Sequence, residues 1–332
     1  MYLTALLLAG VAGAYFLVWE RRGLGIGLAA LAALALAGYG AARGQRHKFS
    51  EVRELYYANS NFGLVQVVEN LSGNRRFYLN DYLVQDIYDP QQKKSLALFT
   101  YELHDLAVAY TPRIERALCV GLGVGIVPNE FVHEGVGMDV VEINPAVVPV
   151  AAGLFNCDTN RMHIVIGDGR YYMNECTNHY DAVIIDAFLG DSSPSHLMTR
   201  EAFQSVKRIL TPDGVLVMNA FGDFETDKDF MVSSLDKTLR RVFPSVRIHA
   251  SGNGNVFFIA SSRPDLKMVR EPNLERIHLS CRQEALAAFN GIVHADPEHG
   301  IVLSDDYNPV EFYDAATREE HRRRLAMHMK SL

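Results

Sequence analysis

The sequence has few cysteines, a single tryptophan and no excess of basic residues. Its 332 residues include four cysteines and carry 32 lysines and arginines against 39 acidic residues, for a formal net charge of −7. The cysteines form no C-x-x-C pair and have no histidine at metal-ligand spacing, which excludes a disulfide scaffold and favours a reduced compartment without a bound metal. Because a polyphosphate backbone requires clustered basic residues, we expect no nucleic-acid partner.

Two apolar stretches open the chain, residues 2–18 and 23–42, separated only by the sequence W-E-R-R. A bilayer core takes about 20 helical residues, so each stretch is close to one span in length. We interpret residues 1–48 as a transmembrane helical hairpin rather than a signal peptide, which begins with basic residues, or a core helix, which has a polar face. Three basic residues follow the second stretch against two in the loop, which favours a cytoplasmic body at an inner or plasma membrane.

Residues 49–110 are predicted to form a small β-rich lobe and a linking helix. Polar and apolar positions alternate in Gly63–Glu69 and Arg76–Leu79, on either side of a turn at Ser72–Asn74. Alternation with period two around a Gly/Asn turn predicts antiparallel hairpins. Ser95–Tyr110 then has the character of a helix.

The pattern changes after Arg116 to short apolar runs separated by helical stretches. The predicted strands are Ala117–Gly121, Gly137–Val141, His163–Ile166, Ala182–Ile185, Val215–Asn219 and Val256–Ala260. Such alternation indicates a doubly wound, Rossmann-like α/β domain over residues 111–262, followed by a helical segment over 263–332. In these sheets ligands bind beyond the carboxyl ends of the strands, which is where the chemistry is expected.

Each of the first four predicted strands is followed or closed by glycines or an acid. In order they are Gly121, Gly123 and Gly125 in a G-x-G-x-G turn, Glu142, Asp168 with Gly169, and Asp186. The turn lets backbone N–H groups approach a ligand, and Glu142 is placed to accept hydrogen bonds from ribose hydroxyls. Any one acid could merely cap a helix, but four features in order at strand ends are harder to explain by capping.

These motifs resemble the S-adenosylmethionine-dependent transferases, specifically the spermidine synthase-like branch. The resemblance covers about Gly63 to Ala260. It includes the stretch Leu79–Gln85, which is similar to an L-D-G-x-x-Q strand in the lobe of that branch. It implies that Glu142 holds the ribose, Asp168 the adenine and Gln85 the methylthio-nucleoside side, with Asp186 as the general base.

The sequence departs from the family pattern where the transferred group and the acceptor are recognised. Val124 stands where aminopropyltransferases have an acid for the amine of decarboxylated S-adenosylmethionine, and the second acid after the fourth strand, Asp191, comes two residues late. We predict Asp191 as a second catalytic acid. The predicted amine-binding residues are Tyr101, Glu102, Asp305 and Asp306. The last two have a solvated turn before Pro309 as an alternative.

Three functions remain open from the sequence. The first is aminopropyl transfer from decarboxylated S-adenosylmethionine to a polyamine-type amine, and the second is methyl transfer from S-adenosylmethionine, which Val124 favours. The third is an adenosyl-ligand sensor without turnover. The expected partners are a small-molecule amine or a lipid-soluble acceptor, membrane lipid, and further copies of the chain in a homo-oligomer.

Overall fold

A computed structural model describes residues 52–188, 194–225, 228–250, 254–296 and 298–313, together with 8, 10–13, 15, 35, 38, 39, 315, 318–320, 322 and 323. The chain divides into two compact units, Met1–Val52 and Arg53–Leu332. Among the described residues, no helix combines the length and the apolar character needed to cross a bilayer. The predicted hairpin, residues 1–48, falls almost entirely outside the described residues and stays a prediction.

Five strands form a small sheet in the order β1-β2-β3-β4-β5. They are β1 (Val52–Ser60), β2 (Gly63–Asn70), β3 (Arg76–Asn80), β4 (Leu83–Asp89) and β5 (Lys94–Ser95). The pairs β2/β3, β3/β4 and β4/β5 are antiparallel, which confirms the predicted hairpins. Tyr78 pairs with Asp86 whereas Leu79 pairs with Val84, so Gln85 is an extra residue in a β-bulge.

Eight strands form the second sheet in the order β13-β11-β12-β10-β9-β6-β7-β8. They are β6 (Arg116–Val120), β7 (Gly137–Glu142), β8 (Met162–Ile166), β9 (Tyr180–Ile185), β10 (Leu210–Phe221), β11 (Ser245–Ala250), β12 (Asn255–Ser261) and β13 (Ile292–Val293). Strands β6 to β10 are parallel, and β12, β11 and β13 extend the sheet antiparallel. All six predicted strands are present, and β11 and β13 are additions. The segment 263–332 therefore contributes an edge strand as well as helices.

Helices connect and cover the strands. They are α1 (Leu98–Tyr110), α2 (Ile126–His133), α3 (Val147–Leu154), α4 (Gly169–Glu175), α5 (Arg200–Ile209), α6 (Phe230–Arg240), α7 (Arg282–Asn290) and α8 (Val310–Tyr313). The predicted helix from Ser95 begins three residues later, at Leu98, because Ser95 pairs with Tyr88 in the small sheet.

The large sheet is buried on both faces, as its continuous apolar strands predict. Along β6, Ala117 and Cys119 pack into one hydrophobic cluster, while Leu118 and Val120 pack into the cluster on the opposite face. Successive side chains of a strand point to opposite faces, so a strand covered on both sides must be apolar throughout. This confirms the doubly wound α/β prediction.

The chain reverses direction across the sheet between β6 and β9. It runs outward from β6 through β7 to β8, then crosses back and adds β9 on the other side of β6. Gly121 follows β6 at this switch point with φ of +99°, and a Cβ there would collide with the carbonyl oxygen of Asp186. The Asp186 N–H donates to the carbonyl of Val120 at 3.0 Å, so the two strand ends are in direct contact.

We expect Gly121→Ala to destabilise the protein by about 1–3 kcal/mol, because a left-handed φ and a backbone collision both oppose a side chain. Gly153→Ala is the matched control: Gly153 lies in α3 with no atom within 4 Å of a built Cβ. We expect that control to gain ~0.5–1 kcal/mol. Denaturant unfolding of both variants measures the difference, and equal stabilities would contradict the close approach.

Candidate active site

A cavity of about 470 Å³ lies between the small sheet and the carboxyl ends of the parallel strands. Its lining includes the proposed base Asp186 and every nucleoside-site residue proposed from the sequence: Gln85, Gly121, Gly123, Gly125, Glu142, Asp168 and Gly169. The three carboxylates at successive strand ends thus share one cavity. The nucleoside-site prediction required these three side chains to lie close together.

The glycine turn is held in shape by Glu142. One carboxylate oxygen of this buried residue accepts the N–H of Leu122 at 2.9 Å, and the other accepts the N–H of Asn144 at 2.7 Å. Burial raises the pKa of Glu142, and the backbone N–H groups oppose that rise. Each carboxylate oxygen has a second lone pair, so Glu142 can position the turn and still accept from a ligand hydroxyl.

Asp168 caps a helix and lines the cavity as well. Its Oδ1 accepts the N–H of Tyr171 at 2.9 Å at the beginning of α4, so the capping alternative weighed from the sequence is realised. Its Oδ2 lies 3.0 Å from Nε2 of His196, a half-exposed residue that also lines the cavity. One oxygen therefore fixes the helix, and the other contacts a second residue of the cavity lining.

Asp186 lies one residue beyond β9, at the switch point. Its Oδ1 accepts a hydrogen bond from Nδ2 of Asn219, on the neighbouring strand β10, at 3.0 Å. Burial raises the pKa of Asp186 to about 6, although the Asn219 hydrogen bond acts in the opposite direction. A carboxyl with this pKa can both accept and release a proton near neutral pH.

Sequence reasoning missed several residues of the cavity. Asp86, Asn219 and Glu284 all contribute to its lining. Asp86 was missed because strict alternation would place neighbours in a strand on opposite faces, whereas the bulge at Gln85 lets both residues reach the cavity. The bulge carries no glycine or proline signal in the sequence.

The predicted amine-binding pair Tyr101 and Glu102 lies outside the cavity lining. Both are buried on α1, where the Tyr101 hydroxyl donates to the carbonyl oxygen of Ser95 at 2.6 Å. Burial raises the pKa of Glu102 to about 9, and its Oε2 has no hydrogen-bond partner in the described part of the chain. Burial on α1 thus favours the protonated form of Glu102.

The other predicted polar residues fall into two groups. Asp191 lies outside the described residues. Asp305 and Asp306 are exposed and do not line the cavity; Asp305 forms an ion pair with Arg170 at 2.9 Å and accepts from Thr199 Oγ1 at 2.6 Å. Asp305 therefore connects its own loop with the first turn of α4 and with the segment that contains His196.

The charge of the cavity is one-sided. Its described lining has five acids, Asp86, Glu142, Asp168, Asp186 and Glu284, one histidine, and no lysine or arginine. A cleft lined by one sign of charge concentrates ligands of the opposite sign. Among the described residues, no cluster of histidine, cysteine and acidic side chains is arranged to hold a metal ion. The arrangement suits an organic cation that also offers hydroxyl groups.

The fold and the cavity define a Rossmann-like, class I methyltransferase-like domain preceded by a small antiparallel sheet. Residues 97–252 match the family model described as "Spermine/spermidine synthase domain". The chain also shares the fold of a spermidine synthase from Thermotoga maritima, with a TM-score of 0.56 and 20% identity over 80% of this chain and 88% of that one.

Two polyamine aminopropyltransferases are similar to the chain in sequence. The Vibrio vulnificus protein is 37% identical over 140 residues, which cover 40% of this chain and 46% of that protein. Polyamine aminopropyltransferase 2 of Hyperthermus butylicus is 28% identical over 229 residues, 64% of this chain and 72% of that protein. These similarities support the spermidine synthase-like branch.

A methyltransferase is similar as well. The N-terminal histidine N-methyltransferase of Emericella nidulans is 30% identical over 138 residues, 40% of this chain. The chain spans less than half of the Vibrio vulnificus protein and about a quarter of the Emericella nidulans protein.

We expect Asp305→Asn to accelerate amide hydrogen exchange in Ser195–Thr199 several-fold, because Arg170 and Thr199 lose a charged partner. The N–H groups of Leu197 and Met198, which donate to the carbonyl oxygens of Pro194 and Ser195, report this change. Asp306→Asn is the matched control, because Asp306 is an exposed neighbour without these contacts. In that variant we expect Ser195–Thr199 to exchange at the native rate. Equal exchange in both variants would show that Asp305 does not hold the segment.

Proposed function

We propose that the protein is an S-adenosylmethionine-type group transferase that moves an aminopropyl group from decarboxylated S-adenosylmethionine to a polyamine-type amine. The observation that carries this proposal is the cavity at the switch point, which five acids line without any lysine or arginine in its described part. A sulfonium donor and an ammonium acceptor are both cations, so both are attracted to such a cavity.

The donor fits the residues present. Glu142 is proposed to accept hydrogen bonds from the ribose hydroxyls, and Asp168 to accept one from the adenine amino group. Gln85 is the proposed contact on the methylthio side. The glycine turn brings backbone N–H groups to the same cavity, with φ of +99°, +53° and +81° at Gly121, Gly123 and Gly125. When bound, the sulfonium supplies a carbon that is open to attack by a nucleophile.

The protein's own task is to position the acceptor and remove its proton. An alkylammonium has no free lone pair until it loses a proton, and Asp186 is the proposed base that accepts it. The Asn219 hydrogen bond fixes the orientation of the carboxylate. Asp191, which lies outside the described residues, stays a proposal as a second acid.

Methyl transfer from S-adenosylmethionine is the second candidate. Val124 lines the cavity in the glycine turn, where an acid would be needed to neutralise the free amine of a decarboxylated donor. An intact methionine tail has its own carboxylate beside the amine. Similarity to the Emericella nidulans methyltransferase agrees with this alternative.

The released nucleoside separates the candidates. The full chain is incubated with each donor and a panel of di- and polyamines, and the products are identified by mass. We expect 5′-methylthioadenosine with the decarboxylated donor; S-adenosylhomocysteine would establish methyl transfer instead. Donor binding without any product, with the affinity intact in Asp186→Asn, would favour the sensor.

We expect ionisation of Asp186, whose pKa is about 6, to add a fall in kcat/KM of about tenfold per pH unit below pH 6, because Asp186 must be ionised to act as the base. Asp186→Asn should lower kcat by ~10²–10⁴-fold and remove this acidic limb of the pH profile of kcat/KM. Asp181→Asn is the control: Asp181 is at the other end of β9, where it accepts the N–H of Glu115 at 2.8 Å, outside the cavity. A native limb in Asp186→Asn would exclude Asp186 as the base.

Membrane anchoring through residues 1–48 is a further part of the proposal and is supported by the sequence alone. An anchored body would suit a lipid-soluble acceptor or a membrane-bound partner. We expect the full chain to sediment with membranes, to resist carbonate extraction and to be released by detergent. Release by carbonate alone would exclude an integral anchor.

A further inference from the structure

Asp86 is an acid of the cavity that has no role in the scheme above. It lies on β4 next to the bulged Gln85, and its side chain is 4% exposed. Ser95 Oγ donates to Asp86 Oδ1 at 2.9 Å, and the carbonyl oxygen of Ser95 in turn accepts from the hydroxyl of Tyr101. The small sheet and α1 therefore hold this carboxyl in a fixed place.

No lysine, arginine or histidine pairs with Asp86 or with Asp186 among the described residues. Both carboxyls line the same cavity, Asp86 from the small sheet and Asp186 from the large sheet. Burial raises the pKa of Asp86 to about 8; Ser95 opposes this rise, and the charge of Asp186 adds to it. Two buried acids that lack a counter-ion are an arrangement that a bound cation would relieve.

A neutral acceptor completes this environment. Asn219 is 3% exposed and lines the cavity; its Nδ2 donates to Asp186, while its Oδ1 is buried without a hydrogen-bond partner among the described residues. A buried, unsatisfied acceptor is costly unless a ligand supplies a donor. An ammonium group has three N–H donors and no acceptor, which is the complement of a carboxylate and an amide oxygen.

We infer that Asp86, together with Asn219, forms a subsite for a primary ammonium group. The subsite would supply from the small sheet the negative charge that Val124 does not supply in the glycine turn. This inference rests on the proposed function for the identity of the nucleoside beside it. The ammonium can belong to the aminopropyl tail of the donor or to the amine acceptor, and two titrations distinguish these sources.

The first titration compares decarboxylated S-adenosylmethionine with 5′-methylthioadenosine, which lacks the amine. The second adds 1,4-diaminobutane to protein saturated with 5′-methylthioadenosine. We expect Asp86→Asn to lower the affinity for the decarboxylated donor, or for the diamine, at least tenfold. The affinity for 5′-methylthioadenosine should stay native. Loss in the first titration assigns the donor amine, and loss in the second assigns the acceptor.

The control is Asp89→Asn, on the same strand but outside the cavity lining. Asp89 accepts the N–H groups of Gln91 and Gln92, which an asparagine can also do. We expect native affinities for all three probes. Asp86→Ser is the second neutral variant if the asparagine variant does not fold.

Proton release provides a readout that a structural role would not change. Burial raises the pKa of Asp86 to about 8, and a bound ammonium would favour its carboxylate, so we expect binding to expel a proton. Asp186, Tyr78, Tyr88 and Tyr101 are the ionisable groups coupled to its charge, and the tyrosines stay protonated near neutral pH. Calorimetry in two buffers of different ionisation enthalpy counts the protons, and we expect fewer released per bound amine in Asp86→Asn.

Amine affinity and proton release at native values in Asp86→Asn would overturn the subsite, as would an equal loss of 5′-methylthioadenosine. Native protein that binds neither amine would overturn it as well. If native protein binds no nucleoside, the proposed function fails separately. In that case 1,4-diaminobutane titrated into nucleoside-free native and Asp86→Asn protein still decides the role of Asp86.

Discussion

The contact between the ends of β6 and β9 is the constraint on which the site depends. Gly121 can lie against the backbone of Asp186 only because it has no Cβ, and this contact brings the glycine turn next to the proposed base. Glu142 then holds the turn through the N–H of Leu122, while the N–H of Asn144 fixes the Glu142 carboxylate itself. A side chain at position 121 would separate the strand ends and move these groups apart. The close approach of β6 and β9 therefore sets the geometry of the site.

The second constraint is electrostatic. Asp86 and Asp186 are buried without a basic partner in the described chain, and burial raises the pKa of both above that of an ordinary aspartate. Such groups favour folding while they are protonated, and this contribution is lost as the pH rises through their folded-state pKa values. A bound cation, as in the proposed function, would favour the ionised carboxylates and would offset that loss.

The sequence predicts the large sheet well because its strands are buried on both faces and thus continuously apolar, and because each acid comes directly at a strand end. It fails where tertiary contacts decide. The bulge at Gln85 leaves no local signal, yet it is what lets Asp86 face the cavity. The ion pair of Asp305 with Arg170, 135 residues away in the chain, is another contact that the sequence does not indicate, and the substrate-binding role of Asp305 stays a prediction. No periodicity connects those two positions.

Val124 and Asp86 together bear on the choice between the two transfer reactions. A valine in the glycine turn leaves a free donor amine without a partner on that wall, and this alone favours an intact methionine tail. An acid on the facing sheet changes the argument, because a carboxylate acts through its charge rather than through its position in the chain. If Asp86 receives the amine of a decarboxylated donor, the valine no longer favours methyl transfer. If Asp86 receives the acceptor amine instead, the valine still favours an intact methionine tail, which has its own carboxylate.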